Sequence, residues 1–376
     1  MEALFETCNY RTAHGEIDAS IAALEGARAE VERHRPPRIG EISVLMPSNI
    51  PLYSYILYLL IPSLYTERVT FRPSGRISDQ TGQLHKLLGA AHDLPIAQEP
   101  SSQRDFLSGP GARSEVLVFT GTYENAEKIR GRLRKDQLFL YFGQGVNPFI
   151  VGPDADIGKA VDGALRARMI NSGQDCFGPD VIFVHGSVSS QFVNLLCRRV
   201  SSLKHGGNDD KTADYGSMHY LDAFESAIRY LARNRALIAA GGHADFVEGH
   251  LSPTIVVQPV DTEFLPDELF APIFNVVPYT SQTWLKSMVT HHFFEERAMA
   301  ATVYGGDDEL VELLGRRHMV SVNETLLDIE DGNEPFGGMG IRANYAAVRG
   351  VRTAEPLLIS KAVADHGHFA PSGRAR

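Results

Sequence analysis

Apolar residues recur at helical spacing between residues 15 and 34, where Ile17, Ile21, Leu24 and Val31 are separated by charged positions. That period predicts an amphipathic helix, which Arg35-Pro36-Pro37 would end. Residues 39–46 read as a strand, and Pro47-Ser48-Asn49-Ile50-Pro51 makes a sharp exit into an apolar stretch at residues 50–65. A second strand is expected at 68–71, closing at Arg72-Pro73-Ser74-Gly75, with helix signals over 79–91. Residues 98–114 are rich in Ser, Pro and Gly and read as a loop. A strand at 115–119, a turn at Thr120-Gly121 and a helix at about 122–133 come next.

Strands and helices alternating across such short turns imply a parallel sheet with helices on its faces. The right-handed crossover rule then predicts a Rossmann-like first domain. A second α/β pattern begins near Phe149, with helices at 157–170, 190–203 and 219–234 and strands at 180–184, 254–259 and 274–279. Residues 363–376 mix His, Gly, Pro and Arg without period and read as a frayed tail.

With 376 residues the chain can bury two domains. The net charge of −10 and the absence of any run of Lys or Arg argue against nucleic acid as a partner. Three cysteines, Cys8, Cys176 and Cys197, make no disulfide framework and fit a reducing compartment. The N-terminus lacks the charged and apolar regions of a signal peptide. The apolar stretch 50–65 falls below the roughly 20 residues a membrane span needs. A cytoplasmic protein without a membrane span is the expectation. The stretch reads as a buried helix, with a partner surface or a membrane-associated face as the other reading. His291-His292 has no further ligand at metal spacing, so no metal site is expected.

Five segments occur in order: Pro47-Ser48-Asn49-Ile50-Pro51, Phe119-Thr120-Gly121-Thr122, Asn171-Ser172-Gly173-Gln174-Asp175-Cys176, Glu268-Leu269-Phe270-Ala271-Pro272 and Pro335-Phe336-Gly337-Gly338. In that order they resemble the aldehyde dehydrogenase superfamily from about Arg38 to Ala362. The resemblance implies an α/β fold with a Rossmann-like cofactor-binding domain and an α/β catalytic domain. It places the first at 1–141, with 325–352 returning to it, the second at 142–324, and a C-terminal strand and tail at 353–376.

The resemblance also assigns roles. Cys176 matches the nucleophile that adds to an aldehyde, passes hydride to a nicotinamide and is left as a thioester. A thiolate suits that step because it is the best side-chain nucleophile for a carbonyl at neutral pH. Asn49 and the Cys176 backbone N–H match the donors to the oxyanion, and such donors stabilise it by roughly 3–4 kcal/mol each. Cofactor contacts are implied for Arg72, Ser74, Gly75, Gly121, Thr122, Glu268 and Phe270, the turn at Gly121 having the strand-to-helix form that presents N–H groups to a pyrophosphate. Either NADP or NAD fits. Gly75 stands where an acidic residue often holds the ribose of NAD, and Arg72 and Arg76 lie nearby, so NADP is favoured.

Hydrolytic relatives carry a glutamate base where Tyr141 is read here, and a phenol is a poor base at neutral pH. The acyl group would then go to a thiol, such as coenzyme A or a carrier protein, in acyl-thioester reduction or its reverse. Simple aldehyde oxidation and a non-catalytic partner protein are the alternatives. Residues 356–362 resemble a closing strand that pairs with a neighbouring subunit, while no room precedes Arg38 for the usual assembly hairpin. A homo-oligomer is thus left open.

Overall fold

The computed structural model describes residues 1–367. Five strands, β1 (Ile39–Leu45), β2 (Thr66–Arg72), β3 (Ile96–Gln98), β4 (Val116–Thr120) and β5 (Leu138–Phe142), are joined by helical crossovers. They lie parallel in the order β5-β4-β1-β2-β3. The chain then runs directly into β6 (Pro148–Val151), β7 (Val181–His185), β8 (Ile238–Ala240), the short pair β9 (Ala244–Asp245) and β10 (His250–Leu251), β11 (Thr254–Val257), β12 (Ile273–Tyr279), β13 (Ala300–Tyr304) and β14 (Met319–Val322). Apart from β9 and β10, these form a second sheet in the order β14-β13-β6-β7-β12-β11-β8, parallel except for β8. The hairpin β15 (Asn344–Val348) and β16 (Val351–Thr353) returns to the first sheet, antiparallel to β5. Its turn residues Arg349 and Gly350 have φ of 53° and 82°, the left-handed pair that matches strand twist.

Most of these strands are buried on both faces, as parallel sheets require. Val44, Val69, Val118 and Leu140 fill one face of the first sheet, and Leu117, Phe139, Tyr141 and Tyr345 fill the other. Phe149, Ile182 and Val276 lie on one face of the second, with Ile150, Phe183 and Val277 opposite.

Several sequence expectations change. The first long helix runs Tyr10–His34, starting earlier because the Asn9 side chain accepts from the Thr12 N–H at 2.9 Å. The stretch read as a loop at 98–114 holds helices Gln103–Ser108 and Pro110–Arg113. Ser102 caps the first of them, and the fully buried Phe106 anchors it. The apolar stretch is a helical run, Pro51–Tyr55 followed by a π-type Ile56–Leu60 and a tighter Pro62–Leu64. Tyr55, Ile56, Leu59 and Ile61 place it in the core of the first sheet. Among the described residues no helix is long and apolar enough to cross a membrane.

The C-terminal reading is corrected. Residues 356–362 are not a free strand: Leu357 makes an antiparallel bridge with Phe336, and Ile359–His366 is a helix. Ile359, Ala362 and Val363 recur at helical spacing and bury one face, which overrides the strand resemblance. Val363–His366, read as tail, belong to that helix, and 368–376 lie outside the described residues.

Asn49, Arg72, Thr120 and Phe142 stand at the carboxyl ends of their strands or just beyond, the edge where open parallel sheets bind ligands. Asn147, Cys176, Glu268 and Met299 precede β6, β7, β12 and β13, at the opposite edge of the second sheet.

Candidate active site

A cavity of about 400 Å³ opens between these two edges. Its wall includes Asn49, Gly121, Thr122, Cys176, Glu268 and Phe270, so the structure brings together six of the sequence-derived candidates.

Cys176 is positioned by an unusual turn. Asn171, Ser172 and Gly173 all have positive φ, at 45°, 56° and 83°. The Ser172 hydroxyl donates to the Gly216 carbonyl and accepts from the Gly216 N–H, both at 2.9 Å. Gln174 accepts from the Tyr220 N–H at 2.9 Å. Asn147 donates to the Cys176 carbonyl at 2.6 Å and to the Gly178 carbonyl at 3.3 Å. These bonds fix the backbone on both sides of the sulfur. Cys176 is partly open to the cleft, Cys197 lies on a helix face, and Cys8 is buried.

The Cys176 thiol is held well above its ordinary pKa by burial and by the charges of Asp175, Glu268 and Glu330. Its own backbone N–H acts in the other direction. Asp175 accepts from the Phe177 N–H at 2.8 Å, and burial raises its pKa. Glu268 is pushed well above the carboxylate range, first by burial, and accepts from Gln144 at 2.7 Å.

Asn49 lies in the turn after β1, where Ile50 has φ of 43° and Pro51 opens the helix. The Tyr220 hydroxyl donates to the Ser48 carbonyl at 2.6 Å and pins this turn to the start of the helix Leu221–Arg233. Glu16 accepts from the N–H groups of Leu52 and Tyr53 at 2.6 and 3.1 Å, capping the same helix.

For a nicotinamide cofactor the residues present fit in part. Gly121 and Thr122 open the helix Tyr123–Arg130 beside the cleft, and Glu268 with Gln144 offers a carboxyl and an amide suited to a ribose diol. Glu124 in that first turn pairs with Arg342 at 2.6 Å, which offsets its repulsion of a phosphate. Arg72, Ser74 and Gly75 lie outside the cleft wall. The Arg72 guanidinium donates to the carbonyls of Ser101 and Pro73. Ser74 accepts from the Arg76 N–H at 3.4 Å, and Gly75 faces open space. Arg76 does reach the wall, paired with Asp222 at 2.5 Å.

Tyr141 is a correction. Side chains alternate along β5, and its ring points to the face packed by Phe119 and Tyr345, away from the cleft. Its hydroxyl donates to the Arg342 carbonyl at 3.0 Å, and burial raises its pKa still further. Phe142 faces the cleft instead. Arg76, read from sequence beside Arg72 as favouring NADP, is the one of that pair that lines the cleft. Gln144, Asn147 and Glu330 were not found from sequence, because no motif or periodicity marks them. Each reaches its place through a loop whose path only the folded chain sets.

A model of the aldehyde dehydrogenase family matches residues 108–341, more than half of the chain. Relatives include a 4,4'-diapolycopene-4,4'-dial dehydrogenase of Cytobacillus firmus, 23% identical over 85% of this chain and 70% of its own. A 4,4'-diaponeurosporen-aldehyde dehydrogenase of Staphylococcus aureus is 26% identical over 60% of this chain and 50% of its own. Among solved structures, an E. coli NADP-dependent enzyme superposes with a TM-score of 0.81 at 21% identity, covering 97% of this chain and 79% of that one. The extent of the family match makes this chain a member of the aldehyde dehydrogenase family, a family of NAD(P)-dependent oxidoreductases.

Proposed function

We propose that this chain oxidises an aldehyde with a bulky apolar body, through an acyl-enzyme on Cys176. The observation that carries the reading is the shared cavity, whose wall holds Cys176, Asn49 and Glu268 together. The Cys176 thiol gives up its proton to solvent, and the thiolate sulfur adds to the aldehyde carbon, forming a C–S bond while the carbonyl pair moves to oxygen. The Asn49 amide and the Cys176 N–H are the donors to that oxyanion, and removing one such donor lowers kcat by roughly 10²–10³. NAD or NADP, when bound, supplies a two-electron hydride acceptor. Glu268 and Gln144 would hold its ribose, and Gly121 and Thr122 its pyrophosphate. Arg76, at the cleft wall, supports NADP over NAD.

The substrate class follows from the remaining wall. Leu57, Tyr58, Phe142, Phe177, Phe336 and Leu357 are apolar or aromatic, and Phe177 and Phe336 meet edge to face at 4.9 Å. Such a surface gains from burying a long hydrocarbon or aromatic body. The 4,4'-diapolycopene-4,4'-dial and 4,4'-diaponeurosporen-aldehyde named for the relatives above are of that kind. Acyl transfer to a thiol is the second reading. It is favoured by Phe142, a residue without a titratable group, facing the cleft beside the strand position where the resemblance expects a glutamate.

The test has two steps. Thermal unfolding with NADP⁺ or NAD⁺ is expected to show a larger shift with NADP⁺; a ligand at about a hundred times its Kd stabilises by roughly 2.7 kcal/mol. Long-chain and aromatic aldehydes should then reduce the bound nucleotide without an added thiol. Cys176→Ala is expected to abolish that turnover while keeping the thermal shift, and retained turnover would overturn the assignment. Turnover only with added coenzyme A would favour the second reading.

A further inference from the structure

The cleft contains a carboxylate that neither the family motifs nor the nucleotide-facing residues account for. Glu330 follows the short helix Leu326–Ile329, is half-buried and lines the same wall as Cys176. The Tyr53 hydroxyl donates to its Oε1 at 2.5 Å. Oε2 accepts no hydrogen bond among the described residues. Tyr53 belongs to the helix that begins directly after Asn49, and Glu16 clamps its backbone N–H. Gly332 lets the loop come close, since a Cβ there would stand 2.5 Å from the Tyr53 hydroxyl. Glu330 is therefore fixed on the same support as Asn49.

The other carboxylates of the cleft are engaged differently. Asp175 is buried and accepts the Phe177 N–H, and Glu268 accepts from Gln144 on the nucleotide-facing side. Glu330, Cys176 and Tyr58 line one and the same cavity.

We propose that Glu330 is the general base that activates water to release the acyl group from Cys176, with Tyr53 as its positioning residue. The inference rests on the acyl-enzyme reading above. Water oxygen bonds to the thioester carbon while one of its protons moves to Glu330. The tetrahedral species then collapses, the C–S bond breaks, and the pair leaves on the Cys176 sulfur. The product is the carboxylic acid, which ionises in water, and Glu330 returns its proton to solvent. No oxidant is consumed. Burial, with the charges of Asp175 and Asp331, raises the Glu330 pKa and makes it a stronger base once ionised.

The test uses the full-length protein and p-nitrophenyl acetate, an activated ester that acylates a thiol without any nucleotide. The wild type should release p-nitrophenolate in a burst followed by steady turnover. Glu330→Gln should keep the one-equivalent burst but slow the steady phase about 10²-fold, with acetylated Cys176 accumulating in the intact mass. Tyr53→Phe should leave the burst and slow the steady phase less, with its pH dependence moved upward. An unchanged steady phase in Glu330→Gln overturns the proposal, as does a burst and steady phase that fall together. A wild type that stalls after one equivalent until a thiol is added also overturns it. A burst that persists in Cys176→Ala instead sinks the acyl-enzyme reading itself.

Discussion

Gly173 packs directly against the backbone of Ala271: a Cβ at Gly173 would stand 2.2 Å from the Ala271 carbonyl carbon and 2.4 Å from the Pro272 nitrogen. The segment that carries Cys176 and the segment that carries Glu268 are thus locked by a contact only glycine permits. With φ of 83°, the position is strained for any other residue as well.

Gly173→Ala is accordingly expected to destabilise the fold by about 2–4 kcal/mol, from overpacking against fixed backbone plus the left-handed conformation. Denaturant unfolding measures this directly. A loss below 0.5 kcal/mol would mean that the two segments can move apart, and that the contact does not fix the site.

Tyr141 and Phe142 test which side chain of β5 faces the cleft. Tyr141 is fully buried among aromatic rings, so Tyr141→Glu would leave a carboxyl in an apolar core. It should cost about 3–5 kcal/mol and yield little folded protein. Phe142→Glu puts the carboxyl at the cleft wall and should be the better tolerated of the two, with its p-nitrophenyl acetate steady phase at or above that of the wild type. The opposite ranking in unfolding midpoints would reverse the assignment of the two faces.

This pair also shows where sequence reading ends. The strand–turn–helix sequence of the first sheet and the five ordered motifs were legible because hydrophobic period and local turn chemistry are properties of neighbouring residues. Asn49, Cys176 and Glu268 were named before their common cavity was known only because the motifs carrying them resemble those of a known family. The face of β5 was not legible, because its residues are all buried and a continuous apolar run has no alternation to read. Glu330 and Asn147 were beyond reach for a different reason. Each is an ordinary polar loop residue until chain crossings bring it beside Tyr53 or Cys176.

Asp175 should slow the chemistry of its neighbour. Its charge, after burial, is the main influence raising the Cys176 pKa. Asp175→Asn retains an acceptor for the Phe177 N–H while removing that charge. Each unit of lowered thiol pKa gives up to about tenfold more thiolate below the pKa. Alkylation of Cys176 by iodoacetamide at pH 7.5 is expected to accelerate several-fold in the variant, with Cys8 unaffected. Unchanged labelling would show that the Asp175 charge does not set the reactivity.

Glu16 gives the fold a pH dependence whose sign can be worked out. Burial raises its pKa from the ordinary 4.5 to about 7, against the two backbone N–H groups that favour the ionised form. Below pH 4.5 the group is protonated in both folded and unfolded chains. Between 4.5 and 7 the unfolded chain gives up this proton and the folded chain keeps it, so stability falls as pH rises. The loss is complete above about pH 7 and amounts to roughly 3 kcal/mol. Asp180, raised to about 6 by burial, contributes with the same sign, so a single pH profile cannot separate them. Glu16→Gln keeps an oxygen to accept from Leu52 and Tyr53 but cannot ionise. Its stability relative to wild type, measured by urea unfolding from pH 4.5 to 8, should therefore rise with pH and level off near 7. A flat difference would mean that the two N–H groups fully offset burial, and that the cap beside Asn49 is ionised throughout.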